Sequence, residues 1–213
     1  DAGRPTLGTR IRDEGRLTLD QLQRYGADLL EAVDYLTKQG VFHRDIKPDN
    51  LGVRPDPGDR RPRLVLFDFS LSKEPPDQVK AGTPPYLDPF LGGARRRQYD
   101  SAAERWAVAV TLFIMATGQL PQWGSGDVDP AVIEDEVSLS ASLFEPSVST
   151  AMVAFFRTAL ARDVGQRFAE LTELAQAWEA VFRAADTRVG DTLESDDVDR
   201  AQANDAAAAS ATL

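Results

Sequence analysis

The chain of 213 residues has no cysteine and a single histidine, His43. Disulfide staples and thiolate metal sites are therefore excluded, and so is any site built from several imidazoles. A metal bound here has to be held by oxygen ligands. Long apolar runs are also missing. The longest, Trp106 to Ala116, is about half of what a bilayer crossing needs and reads as a buried helix. No secretory leader is visible, and with cysteine absent a cytoplasmic setting is expected. Positive charge is scarce as well: 24 Lys and Arg against 34 Asp and Glu leave a net charge of −10. That balance speaks against direct binding to nucleic acid or to an anionic membrane. About half of the excess falls after Ala185, so the rest is only mildly acidic. Hydrophobic residues make up 42% of the chain, enough at this length for a true core. The first residue is Asp1 rather than Met, so the chain reads as a segment of a longer protein.

Residues 1–16 are polar, with Gly and Pro interspersed, and no element is expected there. A helix is well signalled from Thr18. Thr18 and Gln21 have capping-box spacing, Leu17 and Leu22 can form a hydrophobic staple, and Leu22, Tyr25, Leu29, Val33 and Leu36 share a face. Gly40 supplies the stop. After the segment 43–50 come an apolar stretch at Leu51 to Val53, a Pro/Gly/Asp turn over Arg54 to Pro62, and a short strand, Leu64 to Phe67. Together these predict a small hairpin that presents 43–50 and Asp68 side by side. Residues 70–90 are Pro-rich and irregular. Helices are expected over 101–117, 147–161 and 169–184, with loops between 122 and 146. After Asp186 the sequence is acidic, alanine-rich and without a buried face, so 186–213 reads as a linker or disordered tail and 1–185 as the folded unit.

The densest chemistry lies in His43-Arg44-Asp45-Ile46-Lys47-Pro48-Asp49-Asn50, a loop held between a helix and an apolar stretch. Phosphoryl transfer needs a carboxylate to orient or accept the attacking hydroxyl, a cation to offset phosphate charge, and oxygen ligands for Mg²⁺. Asp45 can be the carboxylate and Lys47 the cation. Asn50 and Asp68 can hold a Mg²⁺ ion completed by nucleotide phosphates and water. By local chemistry alone Asp45 and Asp68 also suit a turn and a cap, Lys47 a solvated surface position, and Thr83 an ordinary turn. Arg95-Arg96-Arg97 reads as a solvated basic turn, and Trp106, Phe113 and Trp178 as core.

In order, from about Gly3 to Phe182, the motifs resemble the C-terminal, helical lobe of a bacterial, eukaryotic-like Ser/Thr protein kinase. His43-Arg44-Asp45 with Lys47 and Asn50 resembles the catalytic loop, and Asp68-Phe69-Ser70 the Asp-Phe-Gly metal motif. Gly82-Thr83 and Tyr86 are similar to the segment that positions a peptide substrate. Glu104-Arg105-Trp106 resembles the start of the long central helix, and Arg167 the arginine before the last helix. The resemblance implies a mainly α fold, a helical bundle with a small β-hairpin carrying the catalytic loop. ATP and Mg²⁺ are the implied cofactors and a protein Ser or Thr the implied acceptor. Asp45, Lys47 and Thr83 would be catalytic, Lys47, Asn50 and Asp68 would meet the nucleotide, and Asn50 and Asp68 the metal. His43, Arg44, Phe69, Glu104 and Arg167 would be structural or regulatory.

The pattern departs in places. Ser70 replaces a glycine, Gly52 stands where a bulky apolar residue usually lies under adenine, and Glu104 replaces an aspartate. Leu87-Asp88-Pro89-Phe90 keeps the proline of Ala-Pro-Glu without its glutamate, so Asp88 is the expected new partner of Arg167. The family's Arg44 often grips a phosphorylated residue, yet no Ser, Thr or Tyr lies between Ser72 and Thr83. Glu74 or Asp77 is expected to meet Arg44 instead, with activity independent of phosphorylation there. Nothing before Leu17 supplies a Gly-rich loop or strand lysine, so the N-terminal lobe is expected to be absent from this chain and present, with other domains, in a longer parent. The chain alone would then be inactive. An active though divergent kinase is expected. The alternative, supported by Gly52 and Ser70, is a pseudokinase serving as a regulatory or scaffolding module.

Overall fold

The computed structural model describes residues 5–55, 58, 61–93, 95–126 and 129–183. The tail expected over 186–213 lies outside them. Among the described residues the fold is mostly helical, with one two-stranded antiparallel sheet. No helix described is long and apolar enough to cross a membrane.

Helix α2 (Leu19–Lys38) starts where its capping pattern places it. The Thr18 hydroxyl accepts from the Gln21 amide, and the Gln21 side chain accepts from the Thr18 amide. Its buried face is Leu22, Tyr25, Leu29, Leu30 and Val33. Helix α3 (Ser101–Thr117) is capped by Asp100, whose carboxylate accepts from the Ala103 amide at 2.8 Å. It ends at Gly118, which adopts a left-handed φ of 76°. Between its ends α3 is buried on all sides from Trp106 to Ala116, as a helix segment apolar nearly all round requires. Helix α4 (Ser149–Ala159) and a last helix, α5, over 171–183 close on it through aromatic contacts. Phe156 meets Phe113 and Phe144, and Phe155 meets Trp178 with ring centroids 5.3 Å apart.

Strands β1 (Leu51–Pro55) and β2 (Pro62–Leu66) pair with Leu51 opposite Leu66 and Gly52 opposite Val65. The Phe67 amide continues the ladder to the Asn50 carbonyl at 3.0 Å, so the 43–50 loop and Asp68 leave the hairpin side by side. Asp28 of α2 pins the hairpin, accepting from the Leu64 amide and from Arg63.

The expectation for residues 1–16 is corrected. A short helix, α1 (Leu7–Glu14), forms there, capped by Thr6 and buried only through Leu7, Gly8 and Ile11. Thr9, Arg10, Arg12, Asp13 and Glu14 fill the rest of it, so an apolar edge this narrow leaves little periodicity to read. Gly8 matters for close approach: a Cβ there would lie 2.6 Å from Asp49 Oδ1. Arg12 reaches the same oxygen at 2.9 Å.

Gly26 of α2 lets α5 approach in the same manner. A Cβ at Gly26 would sit 2.4 Å from the indole nitrogen of Trp178, a nitrogen that is buried without a hydrogen-bond partner. Gly26→Ala is therefore expected to lower stability by about 1–3 kcal/mol in thermal or urea unfolding. Adding Trp178→Phe, which clears that space without breaking a hydrogen bond, should recover part of the loss; strict additivity of the two would contradict this packing.

Candidate active site

The 43–50 loop is tied to the core from below. Ile46 is fully buried and its carbonyl accepts from Thr111 of α3. Arg44 adopts a left-handed φ of 70°, which turns consecutive amides toward one acceptor. That acceptor is Glu104, in the first turn of α3. Its carboxylate takes the His43 amide at 2.6 Å and the Arg44 amide at 3.2 Å. The Tyr99 hydroxyl donates to it as well, at 2.5 Å. Burial raises the Glu104 pKa above the ordinary carboxylate value, although Tyr99 and both amides pull the other way.

Above this floor four side chains meet. One oxygen of Asp45 accepts from Lys47 Nζ at 2.7 Å and from Asn50 Nδ2 at 2.9 Å; the other accepts from the Thr83 hydroxyl at 2.7 Å. Lys47 Nζ also donates to the Thr83 oxygen at 2.6 Å, so Thr83 closes a ring from a segment 38 residues further on. Burial favours the neutral acid at Asp45, but Lys47, Thr83 and Asn50 outweigh it and hold the carboxyl below its ordinary range. The Asn50 amide nitrogen also donates to the Asp45 carbonyl, which leaves Oδ1 as the end of the amide available to a cation. Asp68, at the end of the hairpin, has a φ of 66° and is exposed. Among the described residues its carboxylate accepts from the Ser70 amide alone, at 3.3 Å. Among the described residues no group of three or more acidic or histidine side chains forms a complete metal cage. Asn50 Oδ1 and Asp68 are suited to a Mg²⁺ ion whose remaining ligands are phosphate and water.

His43 joins the two halves of the site. Its Nε2 lies 3.0 Å from the Phe67 carbonyl, which can only accept, so that nitrogen carries the proton. Nδ1 then accepts from the Asp45 amide at 3.3 Å. The Phe69 ring stands edge-on to the imidazole at 4.8 Å.

Among the described residues the Arg44 guanidinium pairs with no carboxylate, which corrects the expectation that the Glu74 or Asp77 side chain would meet it. Its guanidinium donates to the backbone carbonyls of Glu74 and Pro75, at 2.5 and 3.0 Å, and of Gln78 at 2.7 Å. The Pro-rich segment forms turns rather than a ladder; the Pro75 and Gln78 carbonyls also accept turn amides, and their second lone pairs face a planar fork of donors. Arg167 pairs with Asp88 through both guanidinium nitrogens, at 2.7 and 3.3 Å. Asp88 takes a second guanidinium from Arg96, which also pairs with Asp100. The basic turn is thus not wholly solvated: Arg95 and Arg97 are exposed, but Arg96 is half-buried between two carboxylates.

A family model described as the protein kinase domain matches residues 2–179. This chain belongs to the protein kinase family. It is 48% identical over 188 residues to the probable kinase PglW of Streptomyces coelicolor, covering 86% of this chain and 12% of that protein. Over 177 residues it is 29% identical to a calcium/calmodulin-dependent protein kinase type 1 of Macrobrachium nipponense, covering 81% of this chain and 50% of that one. A CBL-interacting protein kinase 11 of Oryza sativa is 37% identical over 123 residues, or 54% of this chain and 23% of the relative. The chain therefore spans half or less of the length of these kinases.

Two departures from the kinase pattern take a physical form here. Ser70 does not adopt a left-handed φ, so this arrangement of the metal motif makes no demand for glycine. Beside Gly52 lies the Phe67 ring, which a Cβ would meet at 3.4 Å. Sequence reasoning missed Tyr99 and the grip of α1 on Asp49. Neither carries a motif that could flag it; only the placement of Tyr99 five residues before Glu104 hinted at a shared role.

Burial lowers the His43 pKa from its ordinary value, against opposing pulls from the Phe67 carbonyl, Asp45 and Asp68. The unfolded chain protonates this histidine near pH 6.5, the folded chain only below that, so stability falls as pH drops from about 6.5 toward the folded pKa. Urea midpoints at pH 7.5 and 5.5 should show a larger loss in the wild type than in His43→Gln. Equal losses would mean that His43 is protonated in the fold.

Proposed function

We propose that this chain is the helical, catalytic half of a serine/threonine protein kinase, passing the γ-phosphate of Mg²⁺-ATP to a protein hydroxyl. The observation that carries the reading is the Asp45 carboxylate shared among Lys47, Asn50 and Thr83. In this reading Asp45 orients the substrate hydroxyl and takes its proton. With its pKa held low it stays ionised at neutral pH, so orientation is the larger part of its contribution. Lys47 is the cation that offsets charge on the transferring group, and Thr83 ties the substrate-positioning segment to it. Asn50 and Asp68 would hold Mg²⁺; when bound, Mg²⁺-ATP supplies the transferable phosphoryl group and the metal neutralises its charge. The Lys47–Thr83 contact supports Ser/Thr acceptors. The reading includes a nucleotide-holding N-terminal lobe and other domains in a longer protein. It also includes a cytoplasmic location, supported by the lack of cysteine, and no direct contact with nucleic acid or membrane, supported by the acidic balance. A scaffolding pseudokinase is the second reading, and it rests on Gly52 and Ser70.

A full-length protein carrying this chain is expected to phosphorylate itself or a protein substrate with Mg²⁺-ATP. Asp45→Asn and Asp68→Ala should each lower the rate by about 10²–10⁴-fold with an unchanged circular dichroism spectrum. Equal phosphate incorporation by wild type and Asp68→Ala would leave the scaffold. Purified residues 1–213 are expected to show negligible turnover.

A further inference from the structure

A glutamate at position 104 poses a geometric problem that Tyr99 resolves. Glu104 must offer its two oxygens to two adjacent amides, but its terminal torsion is soft and broad. On this side chain Oε1 takes the His43 amide, while Oε2 takes both the Arg44 amide and the Tyr99 hydroxyl. A hydroxyl donating from the far side of Oε2 fixes the plane of the carboxylate. Tyr99 is itself firmly placed. It is 7% exposed, its amide donates to the Pro76 carbonyl at 2.7 Å, and its ring meets Phe42 edge-on at 5.6 Å. The Arg44 guanidinium lies over the same ring, 4.6 Å from its centroid. Arg44 Nε is buried with no hydrogen-bond partner, so the ring is what faces that part of the cation.

We infer that Tyr99 is a positioning residue of this site. Its hydroxyl sets Glu104 against the His43 and Arg44 amides, and its ring seats Arg44 against the 74–78 segment. The inference rests on the kinase reading for its catalytic consequence, and on geometry alone for its structural one. Through the His43 and Arg44 amides Tyr99 fixes the backbone that carries Asp45. Through Arg44 and Pro76 it fixes the segment that leads to Thr83. It touches no reacting atom and works only through these neighbours. Burial and the Glu104 carboxylate raise its own pKa well above 10.0, so it remains a donor at any working pH.

Tyr99→Phe separates the two roles, because it keeps the ring and removes only the hydroxyl. In a full-length protein carrying this chain, it should lower kcat about tenfold and leave the KM for ATP within about twofold. Glu104→Asp should act similarly by withdrawing the carboxylate from the hydroxyl. The double variant should be no worse than the poorer single one, since both break the same contact. Hydrogen exchange read by mass spectrometry on the same proteins should quicken at the His43 and Arg44 amides in Tyr99→Phe. In Tyr99→Leu, which also loses the ring, the faster exchange should extend to 74–78. Unchanged kcat together with unchanged exchange in Tyr99→Phe overturns the inference, as does full additivity of the two substitutions. If the wild type transfers no phosphate, the kinase reading fails, and the amide exchange still decides the role of Tyr99.

Discussion

A single buried carboxylate holds the candidate site to the core. Glu104 projects from a helix packed on every side, so its position is set by the whole hydrophobic interior rather than by local turns. The backbone of His43 and Arg44 hangs from it by two amides. Loops have little cohesion of their own, and a loop that must hold several polar groups in register needs an anchor of this kind. Such an anchor has a cost, since a carboxylate withdrawn from water is destabilised unless its oxygens are satisfied. Three donors satisfy them, and burial still prevails in the direction of its pKa.

Among the described residues, the acidic groups around that anchor differ in how far the chain itself neutralises them. Asp45 is enclosed by an ammonium, an amide and a hydroxyl. The fully buried side chain of Asp88 receives two guanidinium groups. Clusters like these add little net stability compared with an apolar core, but they permit very few alternative arrangements. Asp68 stands apart. It is exposed, held in a left-handed conformation, and among the described residues bonded only to a neighbouring backbone amide. In the proposed kinase reading, this is the charge that would meet a cation from outside.

Much of this was legible in the sequence wherever one residue type has one physical use. Thr18 with Gln21 marks a helix start, Gly118 a left-handed stop, and a predominantly apolar stretch within 101–117 a central helix. The hairpin that sets Asn50 beside Phe67 followed from a turn-rich stretch between two apolar ones. The replacement of a missing glutamate by Asp88 could be read because a buried arginine requires a partner and few were near. What escaped has a common cause. Helix α1 buries too narrow an edge to give a period. Arg44 is held by main-chain carbonyls, which every residue possesses and no sequence displays. Arg96 looked solvated because its neighbours Arg95 and Arg97 are, and only the fold brings Asp88 and Asp100 to it. Tyr99 carries no charge, and only the fold brings its hydroxyl to Glu104 and its ring to Arg44.

The clamp on Arg44 also bears on how the segment 74–78 keeps its shape. A phosphate would hold a guanidinium through charge; here carbonyl dipoles do so in a site closed to water on one side by Tyr99. Each such bond is weaker than an ion pair, but together they fix the backbone of the segment itself rather than one side chain on it. The arrangement requires no group to be added. It depends instead on turns that aim several carbonyls inward, and Pro75 and Pro76 restrict the backbone toward such turns. A segment without a hydroxyl between Ser72 and Thr83 is therefore consistent with an arginine whose two terminal nitrogens are already taken by the chain that carries it.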